Sequence, residues 1–128
     1  MNLLLDTHAL LWFDAGDAAL SARAREVMED PANQRYVSHV SAWEVAVKLS
    51  LRKLTLGVPY SDLFPGVILA NGFAVLAPDF RHYLALLDLP LHHRDPFDRL
   101  LVAQAQVENL TLVTRDAHLA RYGIAVLW

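Results

Sequence analysis

The chain has 128 residues, 55% of them hydrophobic and 20% charged, with a formal charge of −3 and no cysteine. Those values fit one folded domain over residues 1–128 and exclude a disordered chain, a disulfide scaffold, a Cys-based zinc site and a polybasic nucleic-acid binder. They leave room for a nuclease, because a metal ion can face phosphate in place of lysines.

The opening run MNLLLDTHALLWF is apolar but lacks a basic leader and is interrupted by Asp6 and His8. It is too short to span a membrane and reads as a buried strand, Asn2–Leu5, running into a helix. The expected setting is the cytoplasm, with no membrane association. Further strands are predicted at Tyr36–Val40, Phe73–Leu76, Leu110–Thr114 and Ile124–Leu127, each apolar at most positions, as in strands covered on both faces. Helices are predicted at Ser21–Asp30, Ala42–Arg52, Asp62–Ala70 (with Pro65 inside it), Asp79–Leu87 and Pro96–Glu108, with a short piece at Ala117–Tyr122 that stops at Gly123. Strands alternating with helices predict an α/β domain with a parallel sheet between helical layers.

The acids fall in a pattern. Asp6 follows the first strand, Glu44 the second and Asp116 the fourth. Asp98 heads the helix that feeds the fourth strand. That helix is ~20 Å long at ~1.5 Å per residue, and it must run antiparallel to the strand it precedes. Its start therefore lies at the C-terminal edge of the sheet, where open α/β folds bind ligands.

Each acid alone has a plainer explanation. Ser41 and Glu44 have the spacing of a capping box. Asp95 before Pro96 is a cap, Asp98 suits the helix dipole, and Asp6 and Asp116 can cap the helices that follow them. Jointly, four carboxylates on one edge repel one another unless a cation neutralises them. Oxygen donors without cysteine point to Mg²⁺ or Mn²⁺. Pro96 assigns the cap to Asp95 and leaves Asp98 as the ligand candidate, with Asp95 a candidate contributor beside it. A shared cation requires oxygens no more than about 10 Å apart.

Four ordered blocks, LLLDTHALLW, SAWEVAVKLSLRKLTL, HRDPFDRLLVAQA and LVTRDAHLARYGIAVLW, resemble the PIN domain. The resemblance is greatest to the VapC-type toxins of toxin–antitoxin pairs, and it covers Asn2 to Trp128. It implies a PIN-like three-layer sandwich around a five-stranded parallel sheet, and a metal-dependent ribonuclease. The implied catalytic quartet is Asp6, Glu44, Asp98 and Asp116, with Asp6 and Asp98 as metal ligands. Thr7 and Thr114 match hydroxyl positions beside the site. The resemblance also implies a homodimer and a cognate antitoxin.

Arg94, Arg99 and Arg115 flank the acids and are candidates for gripping RNA phosphates, or else are ordinary surface charges. His92 and His93 are poor metal candidates, because adjacent side chains in a loop rarely share an ion. Trp12, Phe13 and Trp43 are expected in the core or in a dimer contact rather than stacked on bases. Two other readings compete: a PIN scaffold that only binds RNA or protein, and a phosphoacceptor signalling domain, for which the candidate would be Asp79.

Overall fold

The computed structural model describes residues 1–128. Five parallel strands, β1 (Asn2–Leu5), β2 (Gln34–Ser38), β3 (Ala74–Leu76), β4 (Thr111–Val113) and β5 (Val126–Leu127), form one sheet in the order β3-β2-β1-β4-β5. The helices are α1 (Thr7–Ala15), α2 (Ala22–Glu29), α3 (His39–Ser50), α4 (Ile68–Asn71), α5 (Phe80–Asp88) and α6 (Pro96–Glu108). A wide turn of helix, Asp62–Val67, precedes α4, and a 3₁₀ turn, Ala117–Tyr122, precedes β5.

Alternation along β1 builds two cores. Leu3 and Leu5 join Ala9, Leu10, Ala24 and Met28 on one side of the sheet, whereas Leu4 joins Leu101, Val102, Leu112 and Leu119 on the other. Successive strand residues point to opposite faces, so an unbroken leucine run serves a strand covered on both sides. None of the helices is long and apolar enough to cross a membrane.

Several boundaries differ from the sequence reading. The second strand begins at Gln34, not Tyr36, and ends at Ser38, because the Ser38 hydroxyl caps α3 by accepting from the Val40 N–H. His39 and Val40 are therefore helical, and α3 ends at Ser50. The Ser41–Glu44 capping box does not form: Ser41 lies inside the helix and is fully buried. The predicted helix Asp62–Ala70 is broken at Phe64, which has φ −123° and ψ 95°. A residue before proline is pushed out of the helical region by the proline ring.

The Ser38 hydroxyl donates to Gln104 Oε1 of α6 at 2.6 Å, tying the start of α3 to the middle of α6. Both groups are buried, and Gln104 Nε2 has no partner. The inner face of α5 (His82, Ala85, Leu86) packs on the body of the protein. Its outer face exposes Phe80, Tyr83, Leu84 and Leu87, and Leu91 continues it. That stripe has helical spacing and no covering element.

Candidate metal centre

The strand order places a switch point between β1 and β4. From β1 the chain moves outward to β2 and β3, then returns across the sheet to β4 on the other side. Ligands of open α/β sheets sit beyond the strand C-termini at such a point. Asp6 leaves β1 there, and Thr114 and Asp116 leave β4.

Asp6 caps α1 through Oδ1, which accepts from the Ala9 N–H at 2.8 Å. Its Oδ2 accepts from the Thr114 hydroxyl at 2.6 Å. Burial pushes its carboxyl above the usual range, against the pull of those two hydrogen bonds and with some repulsion from Glu44. Thr114 in turn accepts from the Asp116 N–H at 3.1 Å. Asp116 caps the following 3₁₀ turn by accepting from the His118 N–H at 3.0 Å.

Glu44 is 2% exposed and enters from α3. The Thr7 hydroxyl lies 2.6 Å from Glu44 Oε1 and 2.9 Å from Ser41 Oγ. One proton cannot serve both, so Thr7 donates to the carboxylate and Ser41 donates to Thr7. The other Glu44 oxygen accepts from the Lys48 ammonium, one turn along the helix.

Asp95 and Asp98 divide their tasks. Asp95 Oδ1 accepts from the Phe97 and Asp98 N–H groups at 2.8 and 3.1 Å and caps α6. The Asp98 carboxylate makes no such bond and stands next to His93, whose Nε2 is 3.6 Å from Asp98 Oδ2 and 3.5 Å from Asp116 Oδ2. Those two oxygens are thus at most about 7 Å apart, within reach of one hydrated cation. Burial pushes the Asp98 carboxyl up to about 7, reinforced by Asp95, Asp6 and Glu44 and opposed by His93. Asp6, Glu44, Asp95 and Asp98 thus share one electrostatic site, which Asp116 joins through His93.

His93 was passed over in the sequence, where it could be judged only as half of a His-His pair. In the fold its Nδ1 accepts from the Asp95 N–H at 3.0 Å, which leaves Nε2 to face the acids. Lys48 and Ser41 were missed too. The i, i+4 spacing of Glu44 and Lys48 is the available signal for the first; the spacing of Ser41 to Glu44 points instead to a cap.

The arginines separate. Arg99 donates to the Pro90 carbonyl at 2.9 Å and the Tyr122 hydroxyl at 3.2 Å, stapling the loop before α6. Arg115 is exposed and lies 5.8 Å from the centroid of the Trp12 ring, which packs edge-on against Trp128. Arg94 is exposed. Trp12 and Phe13 pack against the core, and Trp43 is exposed against Phe97.

One other group of potential ligands is tighter than the quartet. Ligand atoms of Asp79, His82 and Glu108 lie within 4.8 Å of one another, at the far end of α6. They are already committed. His82 Nδ1 accepts from the Asp79 N–H at 2.9 Å, its Nε2–H donates to Glu108 at 3.0 Å, and Arg81 bridges both acids. With Nδ1 accepting and Nε2 donating, the imidazole has no free lone pair for a metal. This is the capping box of α5 with an ion-pair network over it.

The PIN domain sequence profile matches residues 3–125. The chain belongs to the PIN domain family. No curated protein matches it in sequence. Among solved structures, this PIN domain is similar to a chain of VapBC2 from Rickettsia felis bound to a DNA fragment from its promoter, with a TM-score of 0.71, 14% identity, and 99% of this chain and 98% of that chain covered. It is similar to FitAcB from Neisseria gonorrhoeae, with a TM-score of 0.67, 18% identity, and 98% and 96% covered. VapBC-1 from nontypeable Haemophilus influenzae gives a TM-score of 0.65 and 16% identity, with 99% and 97% covered. Such likeness establishes the α/β PIN fold.

Proposed function

We propose that this PIN domain is a Mg²⁺- or Mn²⁺-dependent ribonuclease, the toxin of a toxin–antitoxin pair acting in the cytoplasm, with residues 1–128 forming a single PIN domain. The observation that carries the reading is the gathering of carboxylates from distant parts of the chain at the switch point of the sheet. Asp6 is tied to Thr114 at the end of β4, Glu44 enters buried from α3, and Asp98 and Asp116 stand on either side of His93 Nε2, a crowding that accompanies the upward shift of the Asp98 carboxyl. A buried set of carboxylates that oppose one another's ionisation fits a site for a hard cation. All the donors are oxygens, as Mg²⁺ and Mn²⁺ prefer.

Asp6 and Asp98 would hold the ion, with Asp116 and Glu44 as further or water-mediated holders. When bound, such an ion polarises a phosphodiester and makes a water molecule more acidic. The chain's own residues do the rest. Thr114 fixes one Asp6 oxygen and the Ala9 amide fixes the other, so the carboxylate is oriented before any ligand arrives. Thr7 does the same for Glu44. Asp116, partly exposed beside His93, would accept a proton from a water at the site. Thr7 and Thr114 thus orient carboxylates and would touch RNA only through them. Arg115, free of carboxylate partners, is the better candidate for a phosphate contact, since the Arg99 guanidinium is engaged with the loop.

The partners would be RNA, a cognate antitoxin and a second copy of the chain. The similarity to VapBC2 and FitAcB supports the antitoxin. The uncovered apolar face of α5 supports a protein–protein contact. The strand order β3-β2-β1-β4-β5 and the commitment of Asp79 to capping both count against a phosphoacceptor domain.

The test is cleavage of total RNA by purified, antitoxin-free protein with Mn²⁺. Wild type should cut and lose activity on chelation. Asp6→Asn and Asp98→Asn should each lose at least a hundredfold while still melting cooperatively. Wild-type protein that binds RNA and never cuts it would instead establish a binding scaffold.

A further inference from the structure

Lys48 stands inside the acidic site without belonging to the quartet. Its ammonium donates to Glu44 Oε2, and the charges of Asp95 and Asp98 also act on it. The nitrogen lies 6.0 Å from the centroid of the Phe97 ring at the head of α6. The pair is unlike an ordinary i, i+4 contact on a helix surface, which contributes little because both partners are solvated. Here the Glu44 side chain is 3% exposed and that of Lys48 is 30% exposed. Glu44 has a neutral donor, Thr7, on one oxygen and its only ion-pair partner, Lys48, on the other.

Resting on the metal-site reading above, we propose that Lys48 is a built-in counter-ion that holds the Glu44 corner of the site and competes there with a divalent cation. The ammonium keeps the crowded carboxylates tolerable in the absence of metal. Metal entry then costs either the loss of that ion pair or the repulsion between a divalent ion and an ammonium bonded to the same carboxylate. Lys48 is therefore a positioning residue that sets metal affinity, and the arginine at this position would do the same.

The experiment is calorimetric titration of the full chain with Mn²⁺ at about pH 8, together with melting curves with and without Mn²⁺. Wild type, Lys48→Met and Lys48→Arg are compared. Lys48→Met should bind Mn²⁺ about tenfold more tightly, equivalent to ~1.4 kcal/mol. Its Tm without metal should fall while its Mn²⁺-induced rise in Tm grows; Lys48→Arg should follow wild type. Unchanged or weaker Mn²⁺ affinity in Lys48→Met, or an equal loss of Tm with and without Mn²⁺, overturns the proposal and leaves the metal site standing. Absence of Mn²⁺ binding in wild type and Lys48→Met alike overturns the site and this inference together.

Discussion

An aspartate whose ordinary value is 3.8 and which sits at about 7 in the fold makes the metal-free protein weaker as the pH rises. The folded state holds the Asp98 proton and the unfolded state does not, so the contribution is fully present below about 4 and lost on the way up through about 7. Burial, the largest cause, and the neighbouring acids act in the same direction. We expect the Tm without divalent ion to decline across that window. Asp98→Asn should flatten the decline and raise stability at neutral pH by on the order of 2 kcal/mol, read from urea midpoints. A variant as pH-sensitive as wild type would remove Asp98 as the cause. Metal binding requires the ionised carboxylate, so Mn²⁺ affinity should weaken below about pH 7, by up to tenfold per unit; titrations at stepped pH measure this directly. That Asp95 and not Asp98 caps α6 was readable from Pro96 alone, because a proline at the first helical position marks the residue before it as the cap. The place of His93 was not readable. Its ring meets Asp116, which is 23 positions away in the chain, only because the loop before α6 folds against the end of β4.

At the scale of elements, sequence reasoning recovered every strand and placed the helices, but it misjudged the start of α3. Tyr-Val-Ser-His-Val reads as a strand by its β-branched and aromatic residues, and Ser41 with Glu44 has the spacing of a cap. The competing cap, Ser38, wins because its hydroxyl also reaches Gln104, a contact across 66 residues that local pattern cannot reveal. The result turns Ser41 inward to Thr7 and places Glu44 in the second turn, facing the site. Ser38→Ala should therefore cost ~1–2 kcal/mol, through the lost cap and the orphaned Gln104 amide. Ser41→Ala should cost less than half of that, since Thr7 keeps its bond to Glu44. The reverse ranking in denaturant titrations would restore the capping box. The break at Phe64, by contrast, was foreshadowed by Pro65.

For the molecule as a whole, the uncovered side of α5 is the largest departure from an ordinary soluble surface. Phe80 is 84% and Leu87 80% exposed, with Leu84, Tyr83 and Leu91 alongside and Trp43 on α3 also open. Together these side chains present on the order of 800 Å², what one partner contributes to a standard interface. The stripe itself is uncharged, so a second copy could meet it with little like-charge repulsion even though each chain carries a charge of −3. Sedimentation should find a dimer for wild type and a monomer for Phe80→Glu with Leu87→Glu. A variant that stays dimeric would move the contact elsewhere.

The place of β1 at the middle of the sheet has a consequence for biosynthesis. The first strand made must wait for Thr111–Val113 before its second neighbour exists, and the Thr114 hydroxyl that orients Asp6 arrives 108 residues after it. A folding intermediate that lacks β4 therefore has no finished acidic pocket, and whatever chemistry that pocket performs waits until the sheet closes around β1.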